Sequence, residues 1–407
     1  MFSDATMRFG ESLTTALLGL DALFALEQSK PATSSGGDIE RLVVLNLSPT
    51  HEPDAFNSYA DADARFTELK RDAGNLPEPD RKLYYDQVCA SALAFITWRT
   101  AGLDLQQQIE RFLHVPAQPA SENELDALRG QMRALLNDLG YAGDLAAQFQ
   151  SWEATQRVPV DEIVDTLSDL LSDAWDRTNA IMTIPAEKSD GMKVDLVSGV
   201  PYNAMCDFSM RIIRLNSDPI LTRPSLKHLA VHEGYPGHYV QFTRRRAAYF
   251  EGRSPADGLL SVVNTASSTP FEGIADCGLS VIGWDDDLDG RLAALLARYR
   301  SGLGTRAAWR LHAEHWELDR VKDELTRDAL VGGEGWVENR LKFISSHARS
   351  ALIWSYWRGE PGVQSVWSKV KNDPQKWKSY FTWTYDRMHS VQSLALFPEN
   401  RQSASTP

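Results

Sequence analysis

Two histidines and a carboxylate stand within seven residues, in His232-Glu233-Gly234-Tyr235-Pro236-Gly237-His238. Neutral imidazoles bind divalent metal well, and the intervening Glu233 is placed to act as the base that activates water beside the metal. In the common H-E-x-x-H arrangement the ligands stand at i and i+4 on one helix face. Here they stand at i and i+6, which on an undistorted helix at about 100° per residue sets them roughly 120° apart. Pro236 cannot close the helical ladder, and Gly237 tolerates unusual backbone angles. The reading therefore requires a bent or bulged helix that returns His238 to the side of His232.

A zinc hydrolase needs three protein ligands and an open position. The best third candidate is Glu272, because Pro270 ahead of it and helix-tolerant residues behind it predict a new helix with Glu272 in its first turn. Asp276 falls one turn further on the same face, where it could orient a liganding histidine through its second ring nitrogen. Two histidines and one carboxylate also suit Fe2+, and oxidative chemistry is the alternative to Zn2+ hydrolysis. Glu233, adjacent to the first ligand, tilts the choice toward zinc.

The elements that must position these residues are mostly helical. Ser121 and Glu124 form a capping box ahead of Leu125, Leu128, Met132, Leu135, Leu136 and Leu139, a stripe that Gly140 ends. Ile163, Leu167, Leu170, Leu171 and Trp175 mark a second helix, and Leu288, Leu292, Leu296, Tyr299 and Leu303 a third. Residues 375–396 read as one closing aromatic-rich helix. Thr222, Pro224 and Ser225 signal a helix start just before His232. Residues 31–37 read as a loop, followed by a strand candidate at 42–47. Proline, glycine and short β-prone pieces such as 211–215 make residues 184–219 the place for a small sheet or hairpin. An edge strand there would let a peptide add by main-chain hydrogen bonding beside the metal helix. A helical half over residues 1–185 and a metal-site half over 186–407 are expected, or a single intertwined domain. The tail from residue 400 reads as frayed.

The chain has 407 residues, 43% of them hydrophobic and 24% charged, with a formal net charge of −13. That is an ordinary globular composition with no basic field for phosphates, so nucleic acid is not an expected partner. Arg244, Arg245 and Arg246 are too short a run to change this. Cys89, Cys206 and Cys277 are too dispersed for a disulfide framework and read as buried thiols in a reducing compartment. The apolar run of residues 13–26 is interrupted by Asp21 and preceded only by Arg8, which reads as an amphipathic helix rather than a signal peptide. No stretch is expected to approach the roughly 20 apolar residues of a membrane span. A cytoplasmic protein without a membrane partner follows.

The stretch Leu229-Ala230-Val231-His232-Glu233-Gly234-Tyr235-Pro236-Gly237-His238-Tyr239-Val240-Gln241 resembles the motif of the bacterial domain-of-unknown-function family 885, roughly H-E-x-x-P-G-H-x-x-Q. Looser likenesses lie around Phe271 to Gly278, Arg306 to Leu311 and Ile353 to Gly359, so that the resemblance spans residues 180–400. The Glu272 and Asp276 pair is also similar to the E-x-x-x-D element of glutamate-ligated zinc peptidases. The resemblance implies a mainly α, zincin-like metallohydrolase fold with a small β element. It further implies that His232, His238 and Glu272 hold zinc, that Asp276 orients a ligand, and that Glu233 is the general base for hydrolysis of a peptide or other amide bond. The tetrahedral oxyanion would need a further donor. Tyr356 ranks first for it, ahead of Tyr239, Arg349 and Arg358. Tyr239 replaces a second histidine common after the P-G-H, and Ile274 stands where a tryptophan is expected. These departures leave the metal reading intact and the substrate open to any small peptide or amide-containing molecule.

Other groups have blander readings. His228, one turn before His232, is either a bystander or a group that orients a ligand. His312 and His315 sit on what looks like a solvated helix face rather than a second metal site. His347 and His389 read as satisfied structural histidines. Eight of the twelve tryptophans fall between Trp309 and Trp383, chiefly as packing for the C-terminal helices, with a substrate-pocket wall as the functional reading. No nucleotide-binding glycine loop or nucleophile-elbow serine is present. A non-catalytic helical binding protein that keeps the motif as a relic is the remaining alternative.

Overall fold

The computed structural model of the chain describes residues 2–28, 41–48, 50–346 and 349–398. The expected loop at 31–37, the tail from 400 and His347 lie outside these residues. Helices dominate, and local sequence explains their limits. Ser121 caps α2 (Glu122–Asp138) through the reciprocal box with Glu124, and α3 (Ile163–Ile181) buries Leu167, Leu170, Leu171 and Trp175 as its stripe requires. The first helix, α1 (Asp4–Gln28), corrects one expectation. It is long and apolar enough to cross a membrane by length and composition, although 61% of its most apolar window is buried against the rest of the protein.

Among the described residues, five short strands make two small sheets. β1 (Val43–Asn46) pairs antiparallel with β5 (Leu260–Val262). β2 (Lys193–Val197), β3 (Ala204–Asp207) and β4 (Ile212–Asn216) form the second sheet in the order β2-β4-β3, parallel on one side of β4 and antiparallel on the other. The architecture is thus mainly α with a small sheet beside the metal motif, as the residue pattern predicts. β3 is an edge strand and packs against the turn that carries Glu233.

The site is framed by α4 (Arg223–Leu229), α5 (His238–Phe250), α6 (Ser268–Asp276), α7 (Leu288–His312), α8 (Gly333–Ser345) and α9 (Ile353–Trp367). Buried apolar side chains form two clusters. One joins residues between 9 and 152 to residues between 260 and 388; the other runs from Val158 to Phe397. Each draws on both sides of residue 185. α9 serves both, with Ile353, Trp354 and Trp357 in the first and Val363, Val366 and Trp367 in the second. The closing aromatic segment is not one helix. It breaks after α10 (Pro374–Tyr385) and resumes as a single turn at Val391–Leu394. His389 holds the break, bonding Trp383 carbonyl through Nε2 (2.9 Å) and Ser393 hydroxyl through Nδ1 (3.0 Å).

Candidate metal centre

α4 begins on the capping box of Thr222 with Ser225 and runs into a wider, π-helical turn over Ala230–Gly234. The extra residue shows in the hydrogen bond from Tyr235 N–H to Ala230 carbonyl (3.1 Å), five residues back. The Tyr235–Pro236 peptide is cis, Gly237 N–H returns to Val231 carbonyl (2.9 Å), and a new helix, α5, starts at His238. Of the bent or bulged helix expected, the chain takes the bulge, as the π turn, and then stops and restarts as α5. Gly237 is obligatory here, because a Cβ at that position would lie 1.8 Å from His232 carbonyl oxygen. The result is the required return. The His232 and His238 rings lie 4.7 Å apart, nearly perpendicular at 81°.

Glu272 comes from α6, which starts at Ser268, so the residue sits in the second turn rather than the expected first. One of its carboxylate oxygens lies 3.4 Å from Nε2 of His232 and 3.4 Å from Nε2 of His238. That oxygen, Oε2, is buried and accepts no hydrogen bond of good geometry. Three donor atoms within 4.8 Å of one another, all on buried residues and converging on an orphaned oxygen, fit a metal ion.

Both imidazoles are held from behind. Asp276 accepts from Nδ1 of His232 at 2.9 Å, which leaves Nε2 free as a ligand. Gln241 does the same for His238: its Oε1 faces Nδ1 at 3.4 Å, and its amide orientation is set by donation to Phe271 carbonyl (2.9 Å) and by Arg245 donating to Oε1 (3.1 Å). Phe271 also stacks on His238 at 4.2 Å. Gln241 had no assigned role in the sequence, although its place three residues after His238 on a helix was the available signal. Burial alone would lower the pKa of His232, but Asp276 outweighs it and pushes it well above the usual histidine range. Burial opposes the charge on Glu272, yet His238 and His232 hold its pKa below normal. Asp276 is depressed further, against burial, by His232 and His228. His228 lies 3.6 Å from Asp276 and so joins this network from α4.

Glu233 is 5% exposed and makes no hydrogen bond or ion pair with any described residue. It lines a cavity of about 190 Å³ shared with His232, Asp276 and Tyr356. Tyr356 lies over His232, with ring centroids 6.4 Å apart and planes 19° from parallel. Burial, then Glu272 and Glu233, raise its pKa well above 10, so the phenol keeps its proton. The three rival oxyanion donors do not line the cavity. Tyr239 points to Asp190 carbonyl, Arg358 to Gln118 carbonyl, and Arg349 stands outside the lining. His312 bonds Ile344 carbonyl (2.7 Å) and belongs to no cluster of metal-ligating groups among the described residues. Of the eight C-terminal tryptophans, only Trp336 borders the cavity.

No family model matches the chain, and no curated protein matches it. Solved structures do. A "putative lipoprotein" from Colwellia psychrerythraea aligns at 14% identity with a TM-score of 0.54, over 83% of this chain and 58% of that one. A "putative lipoprotein" of unknown function from Shewanella oneidensis aligns at 14% identity and a TM-score of 0.51, over 83% of this chain and 70% of that one. The shared property is the fold. The chain spans less than two thirds of the Colwellia protein's length.

Proposed function

We propose that this protein is a zinc-dependent hydrolase of a peptide or other amide bond, as the resemblance to domain-of-unknown-function family 885 implies. The observation that carries the reading is the separation of roles. His232, His238 and Glu272 converge on one point, while Glu233, next in sequence to a ligand, stands apart with a free carboxylate facing the cavity. A zinc ion in that triad would supply Lewis-acid activation of water and of the scissile carbonyl. Glu233 would take the proton from the attacking water and pass it to the leaving amine. Tyr356, protonated and facing the same space, would donate to the developing oxyanion. The edge of β3 offers backbone groups along which a peptide can extend.

Iron in the same triad is the competing reading, and the free Glu233 favours zinc. A cytoplasmic location is proposed from three free, dispersed thiols. The lipoprotein names of the structural neighbours favour an exported one, and cell fractionation with an antibody to the whole chain separates the two.

The test is Glu233→Gln in protein purified without added metal. Metal analysis is expected to give one zinc per chain in both forms, with cleavage of a peptide library by the parent and none by the variant. Full cleavage by the variant overturns the mechanism. Iron in place of zinc moves the protein to the oxidative reading, and unchanged metal content in His238→Ala removes that residue from the triad.

A further inference from the structure

The cavity, which the metal triad reaches through His232, carries two arginines in its wall, Arg300 on α7 and Arg340 on α8. Their surroundings differ. Arg300 donates to Val331 carbonyl, lies 4.6 Å over the Trp336 ring, and feels the nearby Glu153 carboxylate. Arg340 has no hydrogen bond and no ion pair with any described residue, and its Nε is buried without a partner. Its stem passes over Gly304, and its guanidinium sits 5.6 Å from Trp336 and 5.7 Å from Phe343, both apolar neighbours in the lining. Burial lowers it to about 10, so it remains charged at neutral pH. α8 itself is pinned at the cavity rim, since Asn339 donates to Val200 carbonyl (3.0 Å).

A guanidinium that faces two aromatic rings and no counter-charge is a costly arrangement, which the cation–π contacts repay only in part. An anionic ligand would supply the counter-charge. The guanidinium fork matches a carboxylate in two parallel hydrogen bonds. Arg340 also influences Tyr356, the side chain that stacks on His232, so the cation and the reacting centre share one wall.

We propose that Arg340, assisted by the field of Arg300, binds a carboxylate of the substrate, so that the amide cleaved belongs to a short, carboxylate-bearing peptide or N-acyl amino acid. This rests on the hydrolase reading for the word substrate, but the anion site stands on the cavity alone. The carboxylate can be a chain terminus or an acidic side chain.

The experiment measures binding, separately from turnover. Zinc-loaded full-length Glu233→Gln protein is incubated with a randomised N-acetyl tripeptide library as free acids, and with the same library as C-terminal amides; retained peptides are identified by mass spectrometry. The free acids are expected to be held about tenfold or more over the amides, the gain of a charge-assisted pair. Amides retained only when they contain Asp or Glu place the carboxylate on a side chain and support the same site. Equal retention without acidic enrichment, or retention of neither library, overturns the proposal. Arg340→Gln is expected to erase the preference, and a preference that persists in that variant, verified as folded by circular dichroism, also overturns it. Preferred binding of acids without cleavage by the parent protein would sink the hydrolase reading and leave the anion site standing. Cleavage without the preference would do the reverse.

Discussion

Asp276 and Tyr356 touch the same imidazole from different directions, and that difference separates metal affinity from turnover. Asp276 fixes the ring of His232 through a 2.9 Å hydrogen bond to Nδ1. Asp276→Asn keeps the shape and removes the charge that makes the imidazole a strong ligand. Zinc affinity should fall by about 10- to 100-fold, read by competition with a chelator. Tyr356 reaches the cavity side, and its hydroxyl bonds no described residue. Tyr356→Phe should leave zinc affinity within about twofold and lower kcat by about 100-fold or more, the usual cost of an oxyanion donor. A Tyr356→Phe enzyme with unchanged kcat would remove the residue from the chemistry. An Asp276→Asn protein with parental affinity would reduce the hydrogen bond to packing.

Elements hold these groups to their places mainly by close backbone approach. α6, which carries Glu272, and α9, which carries Tyr356, meet at Gly273 and Gly359. A Cβ on Gly359 would lie 2.3 Å from Thr269 carbonyl oxygen and 2.8 Å from Gly273 N. Gly359→Ala must push the helices apart, at a cost of about 1–3 kcal/mol for an overpacked contact, and should carry Glu272 away from Tyr356. Gly362 lies on the same helix, and its added Cβ would meet only Val391 at an ordinary 3.6 Å. Gly362→Ala should therefore be neutral or slightly stabilising through helix propensity. Urea unfolding of the pair checks this, and a Gly359→Ala protein as stable as Gly362→Ala would show that the close approach of the two helices sets no cost. Such contacts are barely legible in a sequence. The capping box at Ser121, the helix start at Thr222 and the β-prone run at 211–215, which forms the strand Ile212–Asn216, are legible because caps and short-range periodicity are local. The need for distortion at Pro236 and Gly237 was also legible. A bulge was one of the two forms expected; the stop and restart after it was not legible, since that depends on what packs behind the turn, including Leu171 against Gly234. The break after Tyr385 is illegible in the sequence for a similar reason. Aromatic periodicity continues across it, while the hydrogen bonds that stop the helix come from His389, a residue that sequence alone cannot orient. Arg340 carries no signal in the sequence, because its isolation depends on the packing of its stem over Gly304 of α7.

At the scale of the whole molecule, the reactive groups lie where the two apolar clusters meet, with the π turn rooted in one and the first turns of α9 in the other. Pockets between packed layers are common binding sites because the walls are fixed independently of the ligand. That arrangement depends on the C-terminal segment closing over both clusters, and buried His389 ties it down. Nε2 donates to Trp383 carbonyl, which leaves Nδ1 as the acceptor, and Arg81 Nη2 stands 3.4 Å from it. Protonating Nδ1 would set two cations against each other in the interior. Burial, followed by the charges of Arg81 and Arg387, accordingly depresses the pKa of His389 well below the ordinary value. Between the two pKa values the unfolded chain binds the proton and the folded chain does not. Stability from this residue is complete above about pH 6.5 and is lost as the pH falls below it, by up to about 1.4 kcal/mol per pH unit. Other titrating groups, the metal triad included, contribute to the parent and to His389→Gln alike, so the difference between the two isolates this residue. Denaturant unfolding at pH 7.5, 6.5, 5.5 and 5.0 should show the parent losing more stability than the variant below pH 6.5, with parallel behaviour above it. Identical slopes throughout would mean that the C-terminal closure yields to the proton without cost, and that His389 is held by packing rather than by its neutral state.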